Sequence, residues 1–318
     1  MASGDIITAS RYNQIQSRIA TILGNGSANA GYGQNLVSNQ VSPSQLITAL
    51  HMNRLRTDML TSYVHQNGSV SGFNLPEIIA GSDLISDAPS AAGKNEYQSY
   101  NNLSNTLLAE RNNYSSVALN NNFSSELNRL VSTRTSAWGG AQQVQTVTHE
   151  FTVSFGSGNA RRHFFNTGSQ IRIEATLNNF PGGGGLQKFN NWSGMFTGMG
   201  IISFGSINTT NNGSGTTQAI GNFNLTSSFQ TIFIKSGSSV YSDNTYIIRA
   251  RQDNASTIRF LIEFNDLHTG SSPTQGVDEP VEGTLRSRVH HFRATGTSIS
   301  GINRVIVPRP VYQNIRTL

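Results

Sequence analysis

Ser136-Ala137-Trp138-Gly139-Gly140, Val147-Thr148-His149-Glu150-Phe151-Thr152-Val153-Ser154-Phe155, Arg161-Arg162-His163-Phe164-Phe165-Asn166-Thr167-Gly168 and Ile171-Arg172-Ile173 make up the stretch that divides this chain. Before it the apolar spacing is helical, and after it the spacing is that of strands. Val147, Phe151, Val153 and Phe155 alternate with Thr148, Glu150, Thr152 and Ser154, the pattern of a half-buried strand. Asn166 to Gly168 supplies turn chemistry before Ile171-Arg172-Ile173, so a hairpin is predicted from Phe164-Phe165 into that strand.

Upstream lies an internal repeat. Ile7-Thr8-Ala9 through Asn13-Gln14-Ile15 aligns without a gap with Ile47-Thr48-Ala49 through Asn53-Arg54-Leu55, and Ile19 and Thr21 continue onto Met59 and Thr61. Thr8 and Thr48 are predicted helix caps. Tyr12, Ile15, Ile19 and Ile22 share one helical face, as do Met52, Leu55, Met59 and Tyr63. Such short helices need a partner for their apolar stripes, and the sibling helix is the expected one. Asn13 and Asn53 flank the stripes, either each satisfying a nearby backbone or solvent position or hydrogen-bonding each other between the helices.

Asn67-Gly68-Ser69 closes this region with a turn signal, and Leu75 to Ile85 reads equally as a short strand or a helical turn. From Glu96, Tyr100, Leu103, Leu107 and Tyr114 return to helical spacing. Asn120-Asn121-Asn122 breaks that helix, and Ser124 to Val131 is predicted to restart one. A connector so rich in Asn and Ser needs packing, on the first helices or on copies of itself.

Downstream, strands are predicted at Val144–Phe155, Arg161–Phe165, Gln170–Leu177, Met199–Phe204, Ala219–Leu225, Thr231–Lys235, Tyr246–Gln252, Thr257–Phe264, Thr284–Arg293 and Ile302–Val307, with Pro308 and Pro310 leaving a short tail. No helix-length segment is read between them, which favours antiparallel pairing. The clearest hairpin crosses Asp253-Asn254. The fold class is therefore α+β: N-terminal short helices and a connector helix, then an antiparallel β-sandwich or jelly-roll-like domain. The expected divisions are 1–70 as a duplicated-helix docking unit, 71–135 as a helical connector and 136–318 as the β domain.

Several of these pieces resemble virion structural proteins of tailed bacteriophages, especially appendage or fibre-like proteins of marine and cyanobacterial phages. They are Ser136, Trp138 and Gly140; His149, Val153 and Phe155; Ala160-Arg161, Phe164-Phe165-Asn166 and Gly168; and Ile171-Arg172-Ile173. The repeated I-T-A-x-x-x-N helices and the late Asp278-Glu279-Pro280-Val281-Glu282-Gly283-Thr284-Leu285 look similar too. Ser169 replaces a second Gly, and Arg162-His163 lengthens the approach to Phe164. The resemblance implies a non-enzymatic tail or neck component, made in the host cytoplasm and resident in the virion. It would dock on other virion proteins through its N-terminal helices and form a homo-oligomer, a trimer by analogy with fibres. The docking residues would be Tyr12, Asn13, Ile15, Ile19, Met52, Asn53, Leu55 and Met59. The alternatives are an adhesin recognising a host-surface glycan and, third, a glycan depolymerase.

Composition narrows the partners. Only 12% of the 318 residues are charged, against roughly a quarter in ordinary globular domains, and Asn, Ser, Thr and Gly take their place. A net charge of +5, with Arg scattered along strands, argues against nucleic acid. The chain has no cysteine, its first residues do not resemble a secretory leader, and no run is apolar enough to span a bilayer, so membrane insertion is not expected.

No nucleophile elbow, phosphate loop, zincin motif or dinucleotide fingerprint is present, and acids in the β region are too few for a depolymerase pair. His290 and His291 alternate across a strand and point apart, so no metal or cofactor is expected there. His149 reads as a partly exposed sheet residue. Asp278, Glu279 and Glu282 read as an exposed acidic loop or, alternatively, a calcium site. Trp192 and Phe196, near the mobile-looking Gly182–Gly185 run, are the candidate glycan contacts.

Overall fold

The computed structural model describes residues 7–24, 31, 34–67, 69–81, 83, 97–111, 123–140, 144–182, 186–269, 279–294, 298–299, 302–303, 307 and 309–318. The chain forms two units: Met1–Ser124 with Arg162–Gly168 and Ala294–Pro308, and Ser125–Arg161 with Ser169–Arg293 and Arg309–Leu318.

In the first unit, helices α1 (Ala9–Leu23), α2 (Ala49–Asn67) and α3 (Tyr97–Ala109) bury one core. Thr8 Oγ1 accepts from Arg11 N, and Thr48 Oγ1 from His51 N, so each repeat begins on the predicted cap. Tyr12, Ile15, Ile19 and Ile22 meet Met52, Leu55 and Met59, and Tyr100 and Leu107 of α3 complete the cluster. The sibling helix thus packs on α1, and α3 does so as well.

Behind each helix the chain returns in an extended segment with no ladder partner among the described residues, and the repeat supplies hydrogen bonds from side chains. Asn13 Nδ2 donates to Val41 O (2.8 Å) and Asn13 Oδ1 accepts from Val41 N (2.9 Å). Asn53 does the same to Ile78 O (2.9 Å) and Ile78 N (2.8 Å). One turn on, Gln16 Nε2 donates to Ser38 O (3.3 Å) and Arg56 Nε to Leu75 O (2.6 Å). These pairs hold equivalent places in the two copies, so the repeat is helix plus clamped return strand, and no bond joins the two asparagines.

The second unit contains two antiparallel sheets. One has the order β1 (Phe123–Arg134), β10 (Thr284–Ala294), β3 (Gln170–Asn178), β4 (Ile202–Phe204), β5 (Thr209–Asn211). The other runs β13 (Val311–Arg316), β2 (Gln145–Ser154), β9 (Thr257–Asp266), β8 (Thr245–Asn254), β7 (Gln230–Ser236), β6 (Thr216–Thr217). Ile258, Phe260, Ile262 and Phe264 of β9 alternate inward, as do Ile171, Ile173, Ala175 and Leu177 of β3. Phe204 meets Phe260 edge-on between the sheets, with ring centres 5.3 Å apart. The hairpin across Asp253-Asn254 is present, with Tyr246 opposite Phe264. A further short pair, β11 (Ser298–Ile299) with β12 (Ile302–Asn303), falls in the first unit.

Five readings are corrected. The expected strand Arg161–Phe165 is helix α4 (Gly158–Asn166): Ser157 Oγ accepts from Ala160 N, and Gly168 at φ +79° ends the helix, so the turn residues close a helix instead of a hairpin. Met199 ends helix α5 (Leu186–Met199), so helices do lie between strands, although β3 and β4 still pair antiparallel. Burying Trp192, Met195, Phe196 and Met199 contributes roughly 1.5–3 kcal/mol each. That outweighs about 1 kcal/mol for each of Gly194 and Gly198 within the helix. Ala219–Leu225 is irregular around a single 3-10 turn at Asn222–Asn224. Ser124–Val131 is strand, within β1, and the tail after Pro310 is the edge strand β13. Tyr114, Asn120–Asn122 and, within the expected strand Ile302–Val307, residues 304–306 lie outside the described residues.

Replacing Asn13 or Asn53 with Ala strands two backbone groups, each costing about 1–3 kcal/mol when buried and unpaired. Either variant is expected to lose roughly 2–3 kcal/mol in denaturant unfolding, the half-burial of the clamp admitting some water. Gln40→Ala, which removes a bond between exposed side chains, is expected to change stability by less than about 0.5 kcal/mol.

Candidate functional site

The residues expected to dock are already occupied. Tyr12, Ile15, Ile19, Met52, Leu55 and Met59 are at most 1% exposed inside their own unit, and Asn13 and Asn53 hold the return strands. An amphipathic stripe identifies a face that must be covered, and here α1, α2 and α3 cover one another. Among the described residues of this unit, the exposed large apolar side chains are Val37, Leu46, Leu50 and Ile79, all beside the clamps or the α2 cap.

The expected glycan contacts are also corrected. Trp192 is fully buried and Phe196 is 3% exposed. Trp192 meets Trp138 with ring centres 4.9 Å apart, and Phe196 packs on Phe264 and Tyr246 at 5.7 Å. These rings form core because α5 lies across the β unit with that face inward. Gly183 to Gly185 and Asp278 lie outside the described residues; Glu279 and Glu282 are half-buried.

Between α5 and the end of β7 is a surface cavity of about 300 Å³, lined by Asn190, Asn191, Gly194, Met195 and Lys235 to Ser238. Asn191 Nδ2 donates to Ser238 O and Ser238 Oγ, both at 3.0 Å, while its Oδ1 is buried with no hydrogen-bond partner among the described residues. Lys235 Nζ donates to Ser214 Oγ at 2.9 Å. A Cβ on Gly237 would collide with the Tyr241 carbonyl, so glycine lets the 236–238 backbone approach. The lining is amide, hydroxyl and one ammonium, with no carboxylate. Sequence reading missed it because it depends on α5, whose helical character only packing reveals.

At the β1 and β13 edges a partly buried charged cluster gathers on Glu126. Glu126 Oε1 lies 3.1 Å from Arg293 NH2, 3.0 Å from Arg309 Nε and 3.3 Å from His291 Nε2. His291 Nδ1 is 2.9 Å from the Tyr312 hydroxyl, with the rings stacked. Burial works against the Glu126 carboxylate, but Arg293, His291 and Arg309 together hold its pKa below the ordinary value. His290 points to the opposite face, with Nδ1 3.4 Å from Glu174 Oε1.

His149 is fully buried, not partly exposed, because it faces inward with Phe151 and its Nε2 is 2.8 Å from Asn314 Oδ1. Burial lowers its pKa, and burial, with neighbouring arginines, lowers His290 and His291 to about 4. Among the described residues no three His, Asp or Glu side chains gather at metal-binding distances.

The sign of the pH dependence follows. A buried histidine whose folded pKa lies below 6.5 stays neutral in the fold, while the unfolded chain takes up the proton. Its contribution is complete above 6.5 and is lost as pH falls toward 4. The thermal midpoint is expected to be flat above about pH 7 and to fall steadily between 6.5 and 4; His291→Phe, which keeps the stack on Tyr312, should flatten that slope. No protein-family model, no curated protein and no solved structure matches this chain, so its likeness to phage appendage proteins rests on the sequence motifs alone.

Proposed function

We propose that this protein is a non-enzymatic virion structural protein of a tailed bacteriophage, a fibre-like appendage or a tail or neck component. Its first unit docks on other virion proteins and its β unit is presented outward. The observation that carries this reading is the set of exposed apolar side chains on rigid segments of the helical repeat: Leu46 (64%), Leu50 (57%), Ile79 (64%) and Val37 (48%). Ile79 follows the clamped Ile78, Val37 N is held by Asp58 at 3.1 Å, and Leu50 lies in the first turn of α2. Apolar groups fixed in this way lose little entropy when a partner covers them. A trimer, by analogy with fibres, and residence in the virion belong to the same proposal.

A second reading, a receptor-binding adhesin, is favoured by the α5 cavity, whose amides, hydroxyls and single ammonium suit a hydroxyl-rich ligand bearing negative charge, such as an acidic sugar unit of a host-surface glycan.

The docking reading is tested with Leu46→Ser/Leu50→Ser in the full-length chain. Incorporation into particles, measured by immunoblot of purified virions, is expected to fall at least about tenfold with the thermal midpoint unchanged, since exposed side chains contribute little to folding. Normal incorporation overturns that docking surface. On a panel of neutral and acidic glycans, Lys235→Ala is expected to weaken any acidic-glycan binding by about tenfold, the loss of one charge-assisted contact; silence of the native chain across the panel rejects the adhesin.

A further inference from the structure

Lys188 Nζ lies 2.7 Å from Asp266 Oδ2, and both side chains are fully buried. Lys188 occupies the first turn of α5 and Asp266 is the last residue of β9, so the pair joins a helix to the end of a central strand. A buried ion pair in a dry interior carries the desolvation cost of two charges, which its mutual attraction often fails to repay. We infer that Lys188 and Asp266 condense after folding into an intramolecular isopeptide bond.

The chemistry balances without a co-reactant. The ammonium and carboxylate together hold three N–H protons and two carboxylate oxygens. Nζ attacks Cγ, the N–C bond forms, and a C–O bond breaks. One proton stays on the amide nitrogen, and two leave with the departing oxygen as water. Nothing is oxidised or reduced. The product is neutral, so the desolvation cost of both charges disappears.

The surroundings favour this step in three ways. First, both groups are held in place. Gly139, at φ +66°, abuts the carboxylate so closely that a Cβ there would collide with Oδ2, and the backbone after Asp266 is fixed by Asn244 Oδ1, which accepts from Leu267 N (2.8 Å) and His268 N (2.9 Å). Fixed proximity of this kind replaces the entropy loss of a bimolecular encounter. Second, the corner is walled by Trp138, Trp192 and Phe264, each at most 3% exposed. Low polarity favours the neutral amide over the two charges it replaces. Third, an acid is carried to the same corner. Val281 is bridged to Trp138, and Gly283 lies against the ring of Phe189, next to Lys188. Between them, Glu282 has a buried Oε2 with no hydrogen-bond partner among the described residues, and its carboxyl is the acid assigned to relay the proton in this proposal. A covalent link here would staple a chain that has no cysteine.

The test is the intact mass of the purified full-length chain under denaturing conditions, followed by trypsin. The bond makes the native chain lighter than its sequence by one water, blocks cleavage after Lys188, and leaves Ile173–Lys235 joined to Phe260–Arg286. Lys188→Arg should restore the full sequence mass, and Asp266→Asn should lose one ammonia instead of one water. A native chain at full sequence mass that is cut after Lys188 overturns the inference and leaves an ion pair alone; this measurement decides even if neither variant folds.

Discussion

Every backbone N–H and C=O removed from water needs a partner, and in this protein many such groups lie in segments without a helix or ladder to supply one. Side-chain amides take that place. Asn13 and Asn53 each bond both backbone groups of one residue on a returning strand, as a neighbouring strand would. Asn224 accepts from Gly221 N and donates to the Ile207 and Ala219 carbonyls, and Asn244 gathers two consecutive N–H groups after β9. A carboxamide offers a donor and an acceptor in one plane without charge, so it is cheaper to bury than a carboxylate or an ammonium. The abundance of Asn in a chain with few charges thus has a structural cause.

The few charged and titratable groups are, conversely, often inside. Arg161 is buried with no carboxylate paired to it among the described residues, held by Asn222 Oδ1 at 2.5 Å and the carbonyls of Asn254 and Asn222, and burial lowers its pKa to about 10. Lys188 and Asp266 face each other in a wall of aromatic rings, and Glu126 collects two arginines and a histidine at the sheet edges. Each holds together elements far apart in sequence. These sites therefore govern how the second unit responds to acid and to substitution more than its partly exposed Arg–Glu pairs, such as Arg249–Glu263, which contribute at most about 1 kcal/mol.

For function, the two units carry different surfaces. The helical repeat spends its amphipathic stripes on its own core and leaves a small set of apolar side chains outside. The β unit buries its tryptophans and offers an amide-lined cavity instead of an aromatic platform. The reading as a virion component rests on the first surface and the adhesin reading on the second, and a single appendage can use both.

By itself the sequence determined the periodicities: the gap-free repeat with its two threonine caps, the buried face of each helix, the alternation that makes β2, β3, β8 and β9 strands, and hence the α+β class. Only the tertiary structure decided what each face meets, because period reports which side chains must be covered and not by what. Arg161–Phe165 and Leu186–Met199 became helices where local propensity is weak and burial of Phe164, Phe165, Trp192 and Met199 outweighs it. These partners of Asn13, Lys188, Glu126 and His291 stand between 21 and 183 residues away, separations over which local sequence carries no signal. In α5, Lys188 shares the spacing of Trp192, Met195 and Met199, so its burial became legible only once the helix was known.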